Sequence, residues 1–108
     1  MPMIEDQTKH LIDTLSDCLA KCEACAQDCA DQGNKDLASC IKLCTDCADL
    51  CRACIPLLAR GSQFSAELCR VCAVACEQCA QECERTGMDE CAEACRKAAD
   101  ACRQMDGV

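Results

Sequence analysis

A chain of 108 residues with a formal charge of −8 is long enough for one core and too acidic to cover nucleic-acid phosphates, which call for clustered Lys and Arg. Its hydrophobic fraction of 51% is unusual in kind, with no Trp or Tyr, one aromatic in Phe64, and 17 Cys. No apolar run approaches the roughly 18 residues of a membrane span, and the opening MPMIEDQTKH has neither the basic start nor the apolar stretch of an export signal, so the chain reads as a single soluble, cytoplasmic domain over residues 1–108.

The first predicted helix covers residues 4–31. Its segment CLAKCEACAQDC sets Cys18, Cys22, Cys25 and Cys29 on one stripe, the a/d seam of a bundle helix, and it stops at DQGNK around Gly33. The second, 35–59, carries Cys40, Cys44, Cys47, Cys51 and Cys54 flanked by Ile41, Leu43, Leu50 and Ile55, and gives way at IPLLARGSQ, with Pro56 and Gly61. The third, 63–85, carries Cys69, Cys72, Cys76, Cys79 and Cys83, points Val71 and Val74 away from the seam, and ends at RTGMD around Gly87. The fourth, 89–105, has Cys91, Cys95 and Cys102, with Ala98 where another cysteine was due and Ala92, Ala94, Ala99 and Ala101 beside the stripe. Ala, Glu, Lys, Gln and Arg fill the remaining positions, all good helix formers.

Short connections make successive helices antiparallel, so the expected fold is all-α, an antiparallel up-down-up-down four-helix bundle with a cysteine-lined core. Symmetric pairing then stacks the sulfurs in layers. Cys29, Cys40, Cys83 and Cys91 share one end, followed by Cys25, Cys44, Cys79 and Cys95. Next come Cys22, Cys47 and Cys76 opposite Ala98, then Cys18, Cys51, Cys72 and Cys102, with Cys54 and Cys69 beyond. A secreted disulfide scaffold fits poorly, because the count is odd and helical neighbours three or four apart hold Cβ atoms about 5–6 Å apart, against about 3.5–4.5 Å for a disulfide. A purely packing role fits poorly too, since Ala or Leu would fill these positions without the oxidation hazard.

Metal remains, and charge narrows which. Four thiolates on one Zn²⁺ leave a net −2, and several such sites in a dry core carry a heavy desolvation penalty. A soft monovalent ion such as Cu(I) selects thiolate and takes two or three ligands, and one ion per bridging thiolate leaves the core neutral. The two-coordinate clips are the Cys-x3-Cys pairs Cys18/Cys22, Cys25/Cys29, Cys40/Cys44, Cys47/Cys51, Cys72/Cys76, Cys79/Cys83 and Cys91/Cys95, with Cys54, Cys69 and Cys102 as third ligands or bridges. A zinc or cadmium scavenger and an iron–sulfur protein, each with about four sites, stand as alternatives, although no run matches ferredoxin spacings. Catalysis is not expected: the lone His10 is remote from most thiols, and a redox pair needs a few exposed cysteines rather than an axial tube.

With CLAKC, CIKLC, CAVAC and CAEAC on four successive helices, the chain resembles the copper storage proteins, cysteine-rich four-helix bundles that load their core with Cu(I). The resemblance implies many Cu(I) ions per chain held mainly by the Cys-x3-Cys pairs, storage in the bacterial cytosol, a homotetramer, and exchange with a copper chaperone or recipient enzyme. The family also places His and Met at one open end of the bundle. Here Leu11, Leu15, Leu58, Phe64 and Leu68 are expected to plug one end, and the loops DQGNK and RTGMD to leave the other open, with Met88 as a docking thioether beside Asp31, Asp36, Glu84 and Asp89. His10 reads as a solvated surface residue, Met105 as packing, and Met1 and Met3 as residues without a role.

Overall fold

The structure, a computed structural model, describes residues 3–106, with Asp106 described in backbone only; Met1 and the outermost ends of the expected 1–108 domain lie outside the described residues. Helix α1 spans Asp6–Gln32, α2 Ala38–Ala59, α3 Ser65–Arg85 and α4 Asp89–Asp106, and a single 3-10 turn over Lys35–Leu37 leads into α2. They form a rod of 49 × 21 × 20 Å. Neighbours pack in the cycle α1–α2–α3–α4–α1, most extensively within the α1/α2 and α3/α4 hairpins and least across α1/α4.

Local chemistry sets the turns. Gly33 adopts φ 65° at the end of α1, and the Asn34 side chain then accepts the Asp36 N–H at 3.0 Å, which starts the 3-10 turn. At the end of α3 the Met88 N–H reaches back to the Cys83 carbonyl at 2.7 Å and the Gly87 N–H to Glu84 at 3.2 Å. This is a Schellman closure with Gly87 at φ 79°. The α2/α3 turn repeats the device, with Ser62 bonding Leu57 and Gly61 bonding Leu58. Pro56 does not end α2, which continues to Ala59. Its missing N–H forfeits one backbone bond, a loss confined to the last turn of the helix.

The core is sulfur and alanine in the middle and leucine at one end. Leu11, Leu15 and Leu58 are buried beyond the cysteines, with Leu68 packed partly against them. Phe64 does not join this plug as expected. It stands 57% exposed at the start of α3, where the turn rather than the helix fixes its direction. Val71 and Val74 face outward, each 53% exposed.

Candidate metal centre

All seventeen cysteines are buried thiols. Their heptad spacing turns every one toward the bundle axis, where the sulfurs approach across helices more closely than along them. Cys47 Sγ lies 3.4 Å from Cys76, Cys22 3.6 Å from Cys95, and Cys44 3.6 Å from Cys79. Within helices, the expected clips Cys18/Cys22, Cys72/Cys76 and Cys79/Cys83 each measure 3.9 Å. Three sulfurs on one ion at bonds of about 2.2–2.3 Å stand about 3.9 Å apart, and a linear pair about 4.5 Å. The tube therefore holds its sulfurs near trigonal spacing, and small rotamer changes reach the linear one.

Among the described residues, sulfurs lying within 4.8 Å of one another form Cys18/Cys47/Cys51/Cys76, Cys18/Cys22/Cys47/Cys95, Cys22/Cys44/Cys79/Cys91, Cys25/Cys44/Cys83/Cys91 and Cys25/Cys29/Cys40. Cys18, Cys22, Cys25, Cys44, Cys47 and Cys91 each belong to two groups. Filling neighbouring groups thus requires bridging thiolates, which suits a chain of monovalent ions and not a row of separate tetrahedral sites. At the leucine end Cys54 and Cys102 both hydrogen-bond Cys69 and Cys72, extending the chain of sulfurs.

The layers differ from the expected stack in one respect, the position of α4. Symmetric pairing sets Cys91 beside Cys29 and Cys95 beside Cys25, whereas the structure sets Cys91 against Cys22 at 3.8 Å and Cys95 against Cys18 at 3.8 Å. Likewise Cys102 meets Cys69 and Cys72 rather than filling a layer with Cys18. Between α2 and α3 the expected pairs Cys40/Cys83, Cys44/Cys79, Cys47/Cys76 and Cys51/Cys72 all meet at 3.4–3.9 Å, and Cys44 reaches Cys83 as well at 3.7 Å. The offset, about one full turn, stands where α4 closes against α1. Cys29 consequently has Cys25 and Cys40 beside it without a group from α4.

Proton placement follows from these contacts. Hydrogen bonding with Cys22 and Cys44 holds Cys79 down at about 6, while Cys22 is pushed up chiefly by its hydrogen bond with Cys18. Cys76 is raised in the same way by Cys18 and Cys47. Cys25 and Cys29, near the end of α1, are raised chiefly by burial. Loading such a site with metal releases protons.

The end expected to be open is closed along the axis. Leu37, from the 3-10 turn, is buried there, and the Thr86 hydroxyl donates to Cys40 Sγ at 3.5 Å. Arg85 locks the 3-10 turn down, with its guanidinium on the Asp36 carboxylate at 3.3 Å and on the Asp36 carbonyl at 2.9 Å. Glu84 is engaged by Arg96 at 2.7 Å, so neither Asp36 nor Glu84 gathers around Met88 as expected. Met88 instead packs partly buried against the core beside Cys25 and Cys91, with Asp28, Asp89 and Glu90 on the rim. His10 is exposed and Met105 half-buried against the core, far down the rod. Leu37 and Thr86 escaped the sequence reading because their roles depend on where a short turn folds back, which periodicity does not encode.

Comparison with known proteins agrees with this geometry. A family model described as copper storage protein matches residues 4–107. Among solved structures, apo-Csp3 (copper storage protein 3) from Bacillus subtilis is 34% identical with a TM-score of 0.82, over 92% of this chain and 98% of that one. The Cu(I)-bound copper storage protein BsCsp3 is 31% identical with a TM-score of 0.88, over 94% of this chain and 99% of that one. A protein of Nitrosospira multiformis is 35% identical with a TM-score of 0.87, over 94% of this chain and 95% of that one. No curated protein sequence matches. The four-helix fold, the thiol-lined axis and a family match over nearly the whole length lead to one conclusion: the chain belongs to the copper storage protein family.

Proposed function

We propose that this chain stores Cu(I), many ions per chain, on the seventeen cysteines of its core. The carrying observation is the sharing of thiols between adjacent groups, which turns separate clusters into one continuous track. The seven Cys-x3-Cys pairs supply most ligands, Cys54, Cys69 and Cys102 bridge at the leucine end, and Met88 lends a thioether where copper first docks. Copper is cargo here, held and returned, and no side-chain arrangement is assigned to catalysis. The whole chain acts as one domain in the cytoplasm, exchanging copper with a chaperone or recipient enzyme. The outward Val71 and Val74 form part of a homotetramer contact, a reading that rests on family resemblance and on their exposure.

An anaerobic Cu(I) titration of the reduced protein against a chromophoric chelator tests the storage reading. Tight uptake to roughly 14–20 equivalents is expected, since near one ion per thiolate neutralises the core. Saturation near four equivalents would instead favour a divalent-metal or cluster protein.

A further inference from the structure

Every sulfur in the track is sealed to nearly the same degree, with two exceptions that lie together. Cys25 keeps 7% of its surface and Cys91 4%, whereas Cys29 keeps 1% and Cys40 and Cys83 none. The residual exposure thus falls on a second-tier pair and not on the thiols nearest the end of the rod. Both cysteines, buried as they are, line a cleft of about 350 Å³ in the α1/α4 seam, walled by Lys21, Ala24 and Asp28 on α1 and by Met88 and Glu90 at the start of α4.

The fold explains why a gap stands there. The turn after α3 closes tightly at Gly87, so α4 begins only at Asp89 and slides toward the leucine end, leaving the upper part of α1 uncovered. Ala24, exposed on α1, is too short to fill the space. Lys21 spans the lower edge, its ammonium 3.2 Å from Asp17 and 4.0 Å from Glu90 across the seam. Along the axis, by contrast, Leu37 is buried, the Thr86 hydroxyl donates to Cys40 Sγ, and Arg85 pins the segment that carries Leu37.

We propose that copper enters the core sideways, through the α1/α4 window, and that Cys25 and Cys91 are its first acceptors, with the Met88 thioether as the third sulfur. This rests on the storage reading above. Sγ of Cys25 and Cys91 lie within 4.8 Å of each other and of Cys44 and Cys83, so an ion taken there is already in contact with the track. The ligand class is a soft monovalent cation, for which two thiolates and a thioether are matched donors. Each step is an exchange: one donor–copper bond breaks, one Sγ–copper bond forms, the thiol proton passes to water, and the metal stays Cu(I). The carboxylates of Asp28, Asp89 and Glu90 raise the local concentration of cations without binding a soft ion strongly.

Two measurements test the route separately from the storage capacity. Native alkylation of the reduced apo-protein with iodoacetamide, followed by peptide mass spectrometry, is expected to label Cys25 and Cys91 before Cys29 and Cys40. The reverse order overturns the proposal, whatever the copper capacity proves to be. In stopped flow with the Cu(I)–bicinchoninate complex as donor, Ala24→Trp is expected to slow uptake of the first equivalents at least ten-fold while the final number bound stays that of the parent chain. Uptake at the parent rate by a folded Ala24→Trp protein overturns it. A parent chain that saturates near four equivalents refutes storage instead, and the alkylation order still reads the window.

Discussion

The two stretches of the core are built from the same heptad stripe and do different work. At one end Leu11, Leu15 and Leu58 fill the stripe, and over the rest of the rod cysteine does. A buried leucine contributes roughly 1.5–3 kcal/mol by leaving water, and the smaller thiol contributes less, so the leucine end holds the apo fold out of proportion to its length. The sulfur stretch forgoes packing energy, which fits the proposal that its positions serve as ligands. The difference teaches that stability and capacity are segregated along one axis.

The sharpest way to break this comparison is to exchange one residue from each stretch. Leu15→Ala is expected to lower apo stability by about 2–5 kcal/mol, as buried leucine deletions do, and to leave the number of copper ions bound unchanged. Cys76→Ala removes one sulfur from a close pair in the tube, 3.4 Å from Cys47, and is expected to lower apo stability by only about 1 kcal/mol while reducing the copper count. Denaturant melts and chelator titrations of both variants check this together. Equal stability losses would mean that sulfur packing holds the rod as firmly as leucine does.

This segregation was legible in the sequence, because both stretches lie on one 4-3-4-3 series and the series alone decides which side chains face inward. All seventeen cysteines and the leucines at 11, 15 and 58 are buried as that pattern requires. The level of α4 was not legible. Pairing about Gly87 aligns α3 with α4 correctly, but the offset against α1 arises at the contact that closes the bundle, which no turn joins and no single turn reveals. Phe64 misled for a simpler reason: it lies at a helix start, where periodicity has not yet set its direction. The closure of the far end was hidden because Arg85 and Asp36 are 49 residues apart and meet only once the bundle exists.

A smaller effect, in pH, sharpens the contrast from the sulfur side. Cys25 and Cys29 are held above the ordinary thiol value by burial, so the folded chain keeps protons that the unfolded chain surrenders above about pH 8.5. Their contribution is full below that pH and is lost as pH climbs through the raised folded values. Cys79, held down at about 6, works in the opposite sense: its contribution is present above the ordinary thiol value and is lost as pH falls through about 6. The apo-protein is therefore expected to melt highest near pH 8 to 9 and to lose stability on further alkalinisation, which calorimetry across pH 6–11 would read. Copper-loaded protein should lose that alkaline decline, because its thiols have already given up their protons.

The smallest effect concerns the end opposite the leucines, which is shut by a polar clamp. Arg85 holds Asp36 through both carboxylate oxygens and the main-chain carbonyl, and it also grips its own helix at Glu82, whose carboxyl its guanidinium keeps below the usual range. Asp36 and Arg85 are well solvated, so their pairing is screened by salt and adds little to the global stability. Its effect is local: it holds the turn that carries the buried Leu37 against the end of the rod where Thr86 meets Cys40. Arg85→Ala is accordingly expected to shift the melting temperature less than Cys76→Ala does, yet to speed native alkylation of Cys40 at low salt, with the parent protein approaching the variant as salt is raised. A large melting shift without faster labelling of Cys40 would make Arg85 a pillar of the fold and leave the lid to Leu37 alone. The expected pattern would instead mark the two ends as unlike in kind, one closed by apolar packing that only unfolding opens, the other by charges that ionic strength can loosen.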